Sequence, residues 1–162
     1  MESPFSKLYL DLLTRITQEV PGAFVDENKG QYGFENFRAM VSFPAVLIDF
    51  PNTPFSNLSN NIQLGNASIS ISILYDVWEN TSSITPEDVR ENGLEYYEFE
   101  HKIHKALQGW HEDYFTPLDR VNATSQNRND IGLRIREVFY NSEFEDWSLD
   151  TNTTAKLSFN QD

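Results

Sequence analysis

From Phe5 onward the apolar positions recur at helical spacing: Phe5, Leu8, Tyr9, Leu12, Ile16 and Val20 form one stripe. Ser3 and Pro4 supply an N-cap residue and a proline for the first helical position, and Pro21-Gly22 stops the run. The stretch Phe24–Met40 is Gly-rich, aromatic and charged, and reads as a long connection with a short strand near Phe24. Pro44 to Phe50, "PAVLIDF", is a short and nearly continuous apolar run that predicts a central strand. From Ser68 to Trp78 the period becomes two. Ile69, Ile71, Ile73, Tyr75 and Val77 share one parity, while Ser68, Ser70 and Ser72 share the other, which describes a strand with one dry face and one polar face. Between these runs, Pro51–Gly65 carries two prolines and several asparagines and reads as a long loop of a hairpin.

The second half repeats the order. Thr85-Pro86-Glu87-Asp88 is a helix start with acids in its first turn. The helical region runs to Gln108 with an interruption expected at Asn92-Gly93, a stripe of Tyr96, Phe99, Ile103, Leu107 and Trp110, and Gly109 as the stop. Tyr114–Thr124 reads as extended, limited by Pro117, and Asn127–Asp130 reads as a turn. In Ile131–Tyr140, Ile131, Leu133, Ile135 and Phe139 alternate with Arg134 and Arg136. Ala155, Leu157 and Phe159 suggest a last strand. The predicted fold class is α+β: a two-layer domain with a mainly antiparallel sheet and two long helices packed on one face. One domain is expected over residues 1–162, with the segment after about 147 unplaced.

Composition narrows function more than fold. A chain of 162 residues without cysteine has no disulfide, thiol nucleophile or cysteine-held metal centre. Twelve basic residues stand against 25 acidic ones, a net charge of −13. Phosphate neutralisation dominates nucleic-acid affinity, so specific DNA or RNA binding is not expected. No apolar run approaches the ~20 residues of a membrane helix, and the opening "MESPFSKLYLDLL" has no signal-peptide pattern.

Candidate chemistry is sparse. Glu98, His101 and His104 lie about a turn apart and could suggest a metal site, but the histidines are three apart rather than in the His-Glu-x-x-His arrangement. No Gly-x-Ser-x-Gly elbow accompanies the serine row, and "KGQYGFENF" has neither Walker nor dinucleotide spacing. The acids Glu143, Glu145 and Asp146 have no EF-hand spacing. No catalytic, metal or cofactor-binding residue is assigned, and no cofactor is implied; a small hydrolase would require titratable groups gathered in a deep pocket. Apolar residues set in polar segments are instead candidates for partner contact: Phe34 and Phe37 in the first connection, and Phe55, Leu58, Ile62 and Leu64 in the Pro51–Gly65 segment.

Several segments in order, "FPAVLIDF" (Phe43–Phe50), "NIQLGNASISISILY" (Asn61–Tyr75), "FEHKIHKALQGW" (Phe99–Trp110), "FTPLDRV" (Phe115–Val121) and "DIGLRIREVFY" (Asp130–Tyr140), resemble tail terminator (tail completion) proteins of tailed bacteriophages and Bacteroidetes prophages. The resemblance implies a structural virion protein and not an enzyme. It would be a ring, commonly a hexamer, that caps the tail tube and joins it to the neck or head-completion protein. DNA would pass through the lumen without specific binding, and the protein would be assembled in the host bacterial cytoplasm without membrane contact. A neck, head-closure or baseplate adaptor protein of a phage or phage-like injection machine is the alternative. An acidic balance suits a conduit that must not hold its DNA.

Overall fold

The computed structural model describes residues 3–59, 61–76, 79–128 and 131–149, with the side chains of Asn127 and Arg128 excepted. The expected strand at Ala155, Leu157 and Phe159, and the end of the central alternation at Val77 and Trp78, lie outside those residues.

Helix α1 spans Pro4–Glu19 and begins as its sequence requires, with proline at the first position and extended Ser3 before it. The Ser3 side chain makes no capping hydrogen bond; its carbonyl accepts from the Lys7 amide instead. Leu8, Leu12, Ile16 and Val20 are buried on one face. Gly22 follows at φ +90°, a left-handed turn that glycine adopts without steric penalty. Strand β1 (Phe24–Glu27) comes next, then a single 3-10 turn at Gln31–Gly33 and a one-turn helix α2 (Phe37–Met40).

The hairpin predicted across Pro51–Gly65 exists, but its loop does not. Strand β2 covers Ala45–Asn52 and β3 covers Phe55–Ser59. Both pair antiparallel with β4 (Ile62–Tyr75), β2 against residues 68–74 and β3 against 62–65. They are two collinear halves of one strand, interrupted at Thr53-Pro54 and stitched by the Asn66 amide donating to the Pro54 carbonyl at 3.0 Å. Pro51 falls where the β2–β4 register shifts, the place where a missing N–H is tolerated. The turn is tight, with Asn61 at φ +68°, and asparagine is one of the few residues that enter that region readily.

Helix α3 (Glu87–Gly93) and helix α4 (Glu95–Leu107) are separated at Leu94, so the break expected at Asn92-Gly93 falls within a residue of its predicted place. Strand β5 (Asp119–Arg128) and β6 (Leu133–Asp146) complete a sheet of order β1-β2-β4-β6-β5 with β3 beside β4. Among the described pairings only β1–β2 is parallel. The fold is α+β with a mainly antiparallel sheet, as expected.

Helices α1 and α4 cover one face. Their stripes meet Val46, Ile48, Ile69, Ile71, Ile73 and Val138 in the main core. Each such aliphatic side chain, fully buried, contributes about 1.5–3 kcal/mol. Arg15 on α1 ties the layer together by donating from Nε to the Ala106 carbonyl at the end of α4, 3.0 Å away. The opposite face is also covered at one end. Phe37 and Val41 pack on Ala45, Leu47, Leu74, Leu133 and Ile135 in a second, smaller core. The helices pack on one face as expected, and the segment read as a plain connection adds a small cover on the other.

Candidate interaction surfaces

The two sets that alternate along β6 face opposite layers. Leu133 and Ile135 face α2, whereas Arg134 and Arg136 point toward α4. Arg136 makes a forked pair with Glu100 of α4, Nε to Oε2 at 2.5 Å and Nη2 to Oε1 at 3.1 Å, and donates from Nη1 to Ser125 Oγ at 2.7 Å. The two side chains retain 17% and 10% of their exposure. The Glu100 hydrogen bond raises the guanidinium pKa further above its already high ordinary value. The Arg134 guanidinium lies 4.8 Å from the Tyr96 ring centroid. Burial, more than the neighbouring Tyr97 hydroxyl, pushes the Tyr96 phenol up to about 12.

His104 sits within this layer, its Nδ1 3.2 Å from the Tyr140 hydroxyl. His101 is exposed, and among the described residues no three His, Cys, Asp or Glu side chains gather to hold a metal. Burial lowers the His104 pKa, with Arg120 and His101 acting in the same direction and Glu100 opposing them. A depressed histidine pKa means that the unfolded chain binds the proton more tightly. The contribution is thus fully present above the unfolded value of about 6.5 and declines as pH falls through it. Chemical denaturation midpoints measured from about pH 7.5 to about pH 5 are expected to fall less steeply in His104→Gln than in the parent. Identical slopes would show that His104 carries no linkage.

The serine row is not the wet face that its composition suggested. Ser70 and Ser72 are 2% and 3% exposed. Ser70 Oγ donates to Glu137 Oε1 at 2.9 Å, and Gln126 Nε2 donates to Glu137 Oε2 at 2.9 Å, so the row belongs to a hydrogen-bonded patch beneath larger neighbours.

The six apolar candidates divide. Phe37 and Ile62 are buried within the chain, which removes them from its surface: Phe37 anchors the second core, and Ile62 lies in the first position of β4. Leu64 is half-buried. Phe34, Phe55 and Leu58 are exposed. Phe55 is 42% exposed, yet its ring centroid is 6.0 Å from that of Phe144 and 6.4 Å from that of Phe5, both edge-on. Gly65 makes this possible, because a Cβ there would stand 2.8 Å from the Phe144 ring and 2.9 Å from the Phe55 ring.

At the same end of the sheet an open furrow runs past Phe144. One part, of about 570 Å³, is lined by Leu64, Phe115 and Phe144 with Asp113, Glu143 and Glu145. A second, of about 460 Å³, lies between the start of α1 and residues 145–148. Tyr114, Glu145 and Trp147 border both. The segment before β5 is held along the β6 edge by the Thr116 amide donating to the Glu143 carbonyl and by the Glu143 amide donating to Thr116 Oγ1, each at 2.8 Å. Tyr114 is fixed by its hydroxyl donating to Asp11 Oδ2 at 2.6 Å, and burial with this bond raises its pKa. Sequence reasoning missed this furrow. Its one local sign was Trp147 following a run of acids.

Three strands have a free lateral edge among the described residues, β1 and β3 at one side of the sheet and β5 at the other. Between Arg120 and Arg128, β5 is neutral and free of proline. Among the described residues no helix is long and apolar enough to cross a membrane.

No family model matches the chain, and no curated protein matches it. Among solved structures, a chain from the virion of a native gene transfer agent particle is similar, with 9% identity, coverage of 85% of this chain and 94% of that chain, and a TM-score of 0.48.

Proposed function

We propose that this chain is a structural virion protein of the tail terminator type, closing into a ring that caps a tail tube and meets the neck or head-completion protein above it. The five ordered segments that resemble that family support the reading. The observation that carries it is that the two sides of the sheet end in unlike free edges, β5 on one and β1 with β3 on the other. Natural sheets protect long exposed edges with charge, proline or cover, because such edges pair with other chains. The middle of β5 has no charge or proline, and β1, on the far side, ends in Asp26-Glu27. Unlike edges on opposite sides suit head-to-tail contacts, which form rings when the rotation closes. The acidic balance suits a lumen through which DNA passes without being held.

A particle reconstruction tests this. The expected result is a ring of about six copies on the tail axis, at the tube's end, with β5 of one copy near β1 of the next. A ring elsewhere on the axis would favour the neck, head-closure or baseplate adaptor alternative. Single copies off the axis would overturn the ring altogether.

A further inference from the structure

We propose that the furrow at the end of β6 binds a cationic segment of a partner protein that also carries apolar side chains. Its apolar part is Leu64 and the exposed Trp147, with Tyr114 beside them and the core residues Phe115 and Phe144 at its base. Its rim is acidic: Asp113, Glu143, Glu145 and Asp146. Among the described residues none of these four carboxylates makes an ion pair. Among the described residues Lys7 is the one cationic side chain bordering the furrow, and it is already engaged, 3.8 Å from the Tyr114 ring centroid. Trp147 is 55% exposed, and its indole is held in place by Nε1 donating to Glu145 Oε2 at 2.9 Å. A large aromatic surface kept in a fixed orientation beside carboxylates that make no ion pair, though Asp146 accepts from the Ser148 amide and hydroxyl, matches one kind of guest. A guanidinium or ammonium stacks on the indole and meets the rim, while a neighbouring aliphatic side chain packs against Leu64. An acidic guest meets repulsion on both sides, and a neutral one leaves the rim unmatched. This goes beyond the ring reading and does not depend on it.

The test uses the full chain and two labelled heptapeptides, acetyl-Gly-Arg-Leu-Lys-Leu-Arg-Gly-amide and the same peptide with glutamate at each basic position, followed by fluorescence anisotropy. Only the cationic peptide is expected to bind saturably. Its affinity should weaken at least about tenfold as salt rises from ~0.01 M to ~1 M and the Debye length shrinks from ~30 Å to ~3 Å. Glu143→Gln with Glu145→Gln, and separately Trp147→Ala, should each weaken binding about tenfold. Glu87→Gln with Asp88→Asn, on α3 and outside the furrow, should leave it unchanged. Equal weakening by the α3 pair would mean general charge attraction and overturn the proposal, as would absence of binding or indifference to Trp147→Ala. Self-association in sedimentation without peptide, abolished by Trp147→Ala, would assign the furrow to a second copy and also overturn it. A ring seen in the particle leaves each of these outcomes open, so the two readings fail separately.

Discussion

Glu100→Ala lowers the unfolding free energy by about 3–5 kcal/mol, the range found when one partner of a buried ion pair is removed. The reason is the charge left behind more than the bond lost. Arg136 keeps its position under α4, and only Ser125 and the nearby Tyr97 ring remain to compensate it. Because both partners are largely shielded from water, solvent screening does not rescue the single variant. Replacing both partners with apolar residues of similar length, Glu100→Leu with Arg136→Met, should recover most of the loss, since well-packed apolar pairs often equal buried ion pairs in stability. Urea unfolding of the three variants checks this. A double variant as unstable as Glu100→Ala would show that the pair is intrinsically stabilising.

Phe144→Ala should cost about 3–5 kcal/mol, the range for emptying a buried phenylalanine site. Its ring is buried, packs edge-on against Phe5 and Phe55, and closes over Gly65. The paired change Phe55→Ala with Leu58→Ala should cost only about 1–2 kcal/mol, because both side chains leave much of their apolar area in water. Thermal unfolding separates the cases, since about 1 kcal/mol moves Tm by roughly 2–4 °C in a chain of this size. If the pair costs as much as Phe144→Ala, the β3–β4 hairpin belongs to the core, and Phe55 and Leu58 are not available for a partner.

What the sequence disclosed follows from what periodicity can encode. The α1 stripe, the break between α3 and α4, and the β4 alternation were legible because each buries one face and exposes or packs another. Strand β3 was not, because all five of its residues are exposed and its "FSNLS" has no dry side to mark. Alternation in β6 separated Leu133 and Ile135 from Arg134 and Arg136, but periodicity only sorts residues into two sets. Which set meets the helices depended on Glu100, a residue far away in the chain. Ser70 and Ser72 misled for the same reason, since a small polar side chain is buried when its larger neighbours are. Of the candidate contact residues, Phe34, Phe55 and Leu58 came out on the surface, while Phe37 was claimed by a second core that no local pattern announces. The furrow draws on α1, the segment before β5 and the end of β6, and only the fold brings these together.

The pairing of β4 with β6 also sets an order of events during synthesis. The β2–β3–β4 hairpin is local and can form as soon as it leaves the ribosome, but Tyr75 must wait for Arg134 and Gln63 for Asp146. Everything from α3 to β5 is made in that interval, and non-local strand pairing is slow because the closure entropy comes before the contacts. Until β6 arrives, β4 offers a bare edge bearing "SISISILY", a stretch without charge or proline and rich in β-branched residues. Nascent chains stalled before Leu133 are therefore the species in which this protein is most exposed to misassembly, and slower elongation would lengthen that exposure instead of relieving it.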